Sequence, residues 1–150
     1  AVIASMENME VVRSVSLALG GNRLEGGCVS RLAAVTYAGL ERLNLFDSAC
    51  IGTSMDEVCT AIEKGGLPGM RSLDVGGCRI EMEQMELLFH TLKAGAMPSL
   101  STLVVAANPA TEHERFEAAL ENLRSMRTDL DVLWSTSDPS SAVQKMPRCP

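Results

Sequence analysis

Apolar residues recur in this chain at a nearly fixed interval, in segments that follow one template. Leu, or Ser, Met or Val in its place, stands first, fourth and sixth, and a small polar residue or Cys stands ninth. The four matches begin at Ser14 (SVSLALGGNRL), Leu40 (LERLNLFDSAC), Met70 (MRSLDVGGCRI) and Leu100 (LSTLVVAANPA), and a half-match begins at Leu130 (LDVLWS). Successive starts are 26, 30, 30 and 30 residues apart. A unit of this size is too small to bury its own apolar face, so neighbouring units must stack and share a core. Such a chain presents a surface and gives little reason to expect an enzyme.

Between the matches the periodicity changes from two to 3.6. Met55, Val58, Cys59 and Ile62 form the stripe of an amphipathic helix, which Met85, Leu88, Phe89 and Leu92 repeat. Phe116, Ala119, Leu120 and Leu123 repeat it again, and Val29, Leu32, Ala33 and Thr36 give a poorer version. Ser54 with Glu57, and Thr111 with Glu114, read as capping boxes. Gly65 and Gly95 stand where helices stop, and Pro68 and Pro98 forbid continuation. Within the matches Leu43 and Leu45, Leu73 and Val75, and Leu103 and Val105 point to one side of a strand. Strands joined by helices must run parallel with right-handed crossovers, which makes the fold class α/β.

These segments resemble leucine-rich repeats, most closely those of the ribonuclease-inhibitor-like subfamily. The resemblance covers Val2 to about Trp134. It implies a right-handed solenoid with a parallel sheet on the concave side and helices on the convex side. It also implies a ladder in which the ninth residues, Asn22, Ser48, Cys78 and Asn108, bond the backbone of neighbouring turns. Ser48 departs from the usual residue. Residues 1–137 are assigned to the repeat domain. Val2, Ile3 and Met6 make residues 1–12 read as the end of a preceding repeat's helix, so the chain is expected to be part of a longer protein. Residues 138–150 read as a tail, either disordered or folded over the last strand as a cap.

Charge and cysteine placement narrow the function classes. The net charge is −6 without any Lys/Arg cluster, which argues against a nucleic-acid partner. No run approaches the roughly 18 apolar residues of a membrane helix, so no membrane role is expected. Cys28, Cys50, Cys59, Cys78 and Cys149 show no C-x-x-C spacing, which argues against zinc. Their odd number and scatter suit a reducing, cytoplasmic compartment better than a disulfide frame. His90 is expected on the surface and His113 in the first turn of the fourth helix, neither near a nucleophile. No catalytic residue, cofactor or metal is assigned.

A partner is expected to be a protein, held on the concave sheet face. The third, fifth and seventh positions of each match should face it. They supply Arg42, Asn44 and Phe46, then Asp74, then Val104 and Ala106, then Val132 and Trp134. Trp, Tyr and Arg concentrate interface energy, so Trp134, Phe46 and Arg42 are the expected anchors. Trp134 has a second reading, as a terminal residue covered by the tail, and Phe46 one as a residue packed into its own turn. Two other functions remain open. One is regulation of a small GTPase through an Arg such as Arg42 or Arg79, which rests on fold analogy. The other is a structural role through the convex helices or through self-association of the open N-terminal layer.

Overall fold

The computed structural model describes residues 15–21 and 26–134. The expectations for residues 1–12, Asn22, residues 138–150 and Cys149 lie outside these. The order of elements is β1 (Val15–Ala18), α1 (Gly26–Ala33), β2 (Leu40–Asn44), a single helical turn α2 (Cys50–Thr53), α3 (Met55–Glu63), β3 (Ser72–Asp74), α4 (Met82–Lys93), β4 (Thr102–Val104), a 3-10 turn (Pro109–Glu112), α5 (Phe116–Met126) and β5 (Asp131–Leu133). The five strands make one parallel sheet in the order of the sequence, β1-β2-β3-β4-β5. The class is α/β, as the alternating periodicities require.

Register follows the interval read from the sequence across the middle of the sheet. Leu43 pairs with Leu73, and Leu73 with Leu103. These residues, with Leu45, Val75 and Val105, share one core with the helix stripes: Val29 and Leu32 of α1, Met55, Cys59 and Ile62 of α3, Met85, Leu88, Phe89 and Leu92 of α4, and Phe116, Leu120 and Leu123 of α5. The pairing runs on past the strand ends, with Asp47 N–H donating to Gly76 O (2.8 Å) and Gly77 N–H to Ala106 O (3.0 Å). There each chain turns through a left-handed residue: Gly21 (φ 73°), Asp47 (59°), Gly77 (66°) and Ala107 (61°). Gly65 and Gly95 leave their helices at φ 100° and 108°, as glycines at a helix exit do.

The ninth-position ladder is present where the residue has the reach for it. Asn108 is 2 % exposed. Its Oδ1 accepts from Cys78 N and Ile80 N (3.0 Å each), and its Nδ2 donates to Val75 O (3.0 Å) and Val105 O (2.8 Å). One amide thus ties two successive turns together. Cys78 does less: its thiol donates to Leu45 O (3.0 Å) on the preceding strand. Ser48 is completely buried, and its Oγ has no hydrogen-bond partner. Its hydroxyl is therefore desolvated without compensation. Ser48→Ala is expected to leave stability unchanged or raise it by up to about 1 kcal/mol, against the usual destabilisation by a core polar deletion. Urea unfolding checks this, and a loss beyond about 1 kcal/mol would show that the hydroxyl is bonded after all.

Three local expectations change. The fifth strand is slipped by one residue: Leu103 pairs with Val132 and Val104 with Leu133. Leu130 keeps the place that Leu100 holds, since Leu130 N–H donates to Arg127 O as Leu100 N–H donates to Met97 O. One residue fewer then separates it from the sheet. The reason is the apolar pattern. In the expected register the inward residues would be Leu133 and Ser135, whereas the slip turns Val132 and Trp134 inward. A one-residue slip moves every side chain of a strand to the other face. Second, the Thr111 capping box does not form: α5 begins at Phe116, and Thr111 Oγ1 donates to Asn108 O (2.7 Å) inside the 3-10 turn. His113 follows that turn rather than opening α5. Third, Ser54 precedes α3 without a side-chain cap bond, while Glu81 with Gln84 forms a capping box at the start of α4. Glu81 was legible only as a surface acid, because capping boxes are sought after Ser or Thr.

Candidate functional site

The helices and the core lie against one face of the sheet, so the strands' alternate side chains stand on the other face. The pairing arranges them in rows. Ser16, Arg42, Ser72, Thr102 and Asp131 form the first, and Ala18, Asn44, Asp74, Val104 and Leu133 the second. Phe46, Gly76 and Ala106 continue the pattern where the chains begin to turn.

Arg42, Asn44, Phe46 and Asp74 come together on β2 and β3, as the alternation of the strands requires. Arg42 is exposed, and Asn44 and Asp74 are half-buried neighbours across the strand pair. Each of the latter two folds its oxygen back on its own turn: Asn44 Oδ1 accepts from Phe46 N and Asp74 Oδ1 from Gly76 N, both at 2.9 Å. Phe46 is 42 % exposed. Its ring reaches across β3, since a Cβ placed on Gly76 would stand 3.1 Å from Phe46 Cδ2. A side chain at position 76 would crowd the ring, and glycine leaves it room. Burial pushes the Asp74 carboxyl above its ordinary pKa, and the Gly76 amide works in the opposite direction. Neither Arg42 nor Asp74 forms an ion pair among the described residues. The carboxylate is thus partly desolvated, and no cation compensates for it.

The remaining expected contact residues divide differently. Val104 is on the open face, but it is 3 % exposed and clusters with Ala106 (1 %) and Leu133 (4 %), apart from the main core. Val132 is a core residue at 3 % exposure. Trp134 packs against the core from its edge, with its ring 5.2 Å from that of Phe116, which in turn lies 6.0 Å from Phe89. The slip of β5 accounts for both corrections, and it puts Asp131 and Leu133 on the face in their stead. The alternation Val132-Leu133-Trp134-Ser135 held the signal, because only one phase keeps Ser135 out of the core.

His90 is exposed on α4, as expected. His113 Nδ1 accepts from Arg115 N at 3.1 Å in its own turn. Burial raises the pKa of the Cys59 thiol, against a hydrogen bond with Thr91, so it stays protonated as a small core residue. Among the described residues no group of three or more His, Cys, Asp or Glu side chains could hold a metal ion. No helix among them is long and apolar enough to cross a membrane. The open face carries an aromatic ring, a guanidinium and a carboxylate within one surface. Comparison with models of protein families found none that matches this chain, and comparison with curated proteins found no match.

Proposed function

We propose that the chain is a leucine-rich-repeat solenoid of right-handed coils, and that it acts as a non-catalytic scaffold holding a protein partner on the open face of its sheet. The architecture is supported by in-order parallel pairing at a thirty-residue register and by the Asn108 and Cys78 ladder. The binding role rests on one observation: the exposed Phe46 ring stands in a single surface with Arg42 and the half-buried Asp74, neither of which forms an ion pair among the described residues. An aromatic side chain beside an arginine and a carboxylate that form no ion pair among the described residues suits a binding hot spot. A fitting partner brings an apolar group for Phe46, a carboxylate for Arg42 and a cation for Asp74.

The test is affinity capture followed by titration of the captured partner. Phe46→Ala with Arg42→Ala is expected to weaken binding at least about 30-fold, the loss of about 2 kcal/mol typical of a truncated hot spot. Met126, the other large exposed apolar side chain among the described residues, lies on α5 and serves as the control. Met126→Ala is expected to bind as the parent does. If Met126→Ala abolishes capture and the face variant does not, the helices are the working surface and the proposal fails.

A further inference from the structure

The chain leaves α3 and α4 along the same backbone path. After α3, the amides of Lys64, Gly65, Gly66 and Met70 donate to Thr60 O, Ile62 O, Ala61 O and Leu67 O. After α4, the amides of Ala94, Gly95, Ala96 and Leu100 donate to His90 O, Leu92 O, Thr91 O and Met97 O, each thirty residues on. The left-handed residues agree as well, Gly65 and Gly95 at φ 100° and 108°, and Leu67 and Met97 at 52° and 47°. The carbonyls of the two exits are therefore directed alike.

At the α4 exit these carbonyls hold a cation. The Arg127 guanidinium takes Leu92 O (3.2 Å) and Ala96 O (2.7 Å) with Nη1, and Met97 O (2.8 Å) with Nη2. One coil earlier the residue in the place of Arg127 is Met97, whose side chain belongs to the core. A groove of about 300 Å³ runs there between the two exits, with Ile62, Glu63, Gly66, Thr91, Ala96 and Met97 in its lining. Ile62 O and Gly66 O are the counterparts of the two carbonyls that Nη1 takes. Glu63 adds a carboxylate, positioned by Thr91 Oγ1, which donates to Glu63 Oε1 at 3.5 Å. It is exposed and forms no ion pair among the described residues. It also stands in the last turn of α3, which carries no basic residue and where the helix dipole favours a cation. The nearest lysines serve other places: Lys64 lines the groove towards α1, and Lys93 donates to Asn122 Oδ1.

We propose that the groove between the exits of α3 and α4 takes the guanidinium of an arginine side chain on a partner polypeptide, with one nitrogen donating to Ile62 O and Gly66 O and the other to the Glu63 carboxylate. A planar fork spans the carbonyl pair and the carboxylate together, which a lysine ammonium does not. The arginine belongs to a polypeptide because no Lys, Arg or His lines the groove to hold the carboxylate of the free amino acid. None of the open-face residues takes part, so the site stands whether or not that face binds a partner.

Titration of the isotope-labelled full chain with N-acetyl-arginine N-methylamide, followed by amide chemical shifts, provides the test. Saturable shifts are expected at Gly65, Gly66 and Gly95. The matching lysine compound has the charge without the fork, and the matching citrulline compound has the planar group without the charge. Each is expected to bind at least about 5-fold more weakly. Free arginine, whose own carboxylate meets Glu63, should also bind more weakly than the capped compound. Glu63→Gln should weaken binding at least about 3-fold and leave the remaining amide shifts in place, since the side chain is exposed. Equal binding of the lysine compound would show that the groove answers to charge alone. Tighter binding of free arginine would make it an amino-acid site. Either result overturns the proposal, as would shifts confined to the surroundings of Asp74, an unaltered affinity in Glu63→Gln, or no saturable shift at all.

Discussion

Replacing Asn108 with alanine is expected to destabilise the protein by about 3–6 kcal/mol, a large share of the roughly 5–15 kcal/mol that holds a domain folded. The side chain satisfies four buried backbone groups at once: the amides of Cys78 and Ile80 and the carbonyls of Val75 and Val105. Each group left without a partner costs about 1–3 kcal/mol, and water entering the gap recovers part of the sum. The two amides belong to the turn after β3, so the damage falls on the junction between repeats and not on one unit. Asn108→Asp should fare no better, since it keeps an acceptor but loses both donors and introduces a buried charge. Asn108→Cys should recover part of the loss, as Cys78 shows that a thiol can serve one carbonyl. The check is urea unfolding, with circular dichroism following the midpoint. An Asn108→Ala loss below about 1 kcal/mol would mean that the four bonds are replaced by solvent and that the ladder is not what joins the coils.

The ladder position was legible because its residue type recurs in register with the apolar pattern. The strands and helix stripes were legible for the same reason: burial forces periodicity, and Leu43, Leu73 and Leu103 could share a seam only if stacked. Of the open sheet face, the part on β2 and β3 could be read, since alternation alone puts Arg42, Asn44 and Phe46 opposite Leu43 and Leu45. The part on β5 could not be read from the interval. A template counted in thirties carries Leu130 forward correctly and then misplaces Val132 and Trp134, because one residue is missing between Leu130 and the sheet. The interval is a statement about neighbours, and the last strand has no described neighbour beyond it to hold the count. There, the preference for Trp134 over Ser135 in the core decides the phase. Glu81 and Arg127 escaped for a different reason. Both are charged residues that do backbone work, and a charge in an amphipathic pattern reads as surface.

Arg127 is the second position where a single substitution should have a large effect. It stands thirty residues after Met97 and sixty after Leu67, in a column of otherwise buried apolar residues, and it is only 9 % exposed. Its Nη1 donates to Leu92 O (3.2 Å) and Ala96 O (2.7 Å), and its Nη2 to Met97 O (2.8 Å), with Leu100 O at 3.5 Å. Leu92 lies in the last turn of α4, at the negative end of the helix dipole, and its carbonyl accepts from Gly95 N–H as well (3.1 Å). The guanidinium therefore has no carboxylate partner among the described residues and is held by carbonyls alone. The sequence around it explains why an arginine fits there. α3 and α4 stop at Glu63 and Lys93 before Gly65 and Gly95, but Ser125 replaces that glycine in the next repeat, and α5 runs on to Met126. The later end of this helix brings position 127 onto the exit of α4, where a planar fork can reach several carbonyls at once. Arg127→Ala is expected to lose about 2–4 kcal/mol, combining three to four charge-assisted bonds with a hole in the apolar column. Arg127→Met separates the two contributions, because it fills the space and removes only the bonds. If Arg127→Met unfolds at the parent's urea concentration while Arg127→Ala does not, packing is the whole effect. A loss shared by both variants, with Arg127→Lys intermediate, is the result that carbonyl capture requires. Lysine keeps the charge but has no fork with which to span Leu92 and Met97 together.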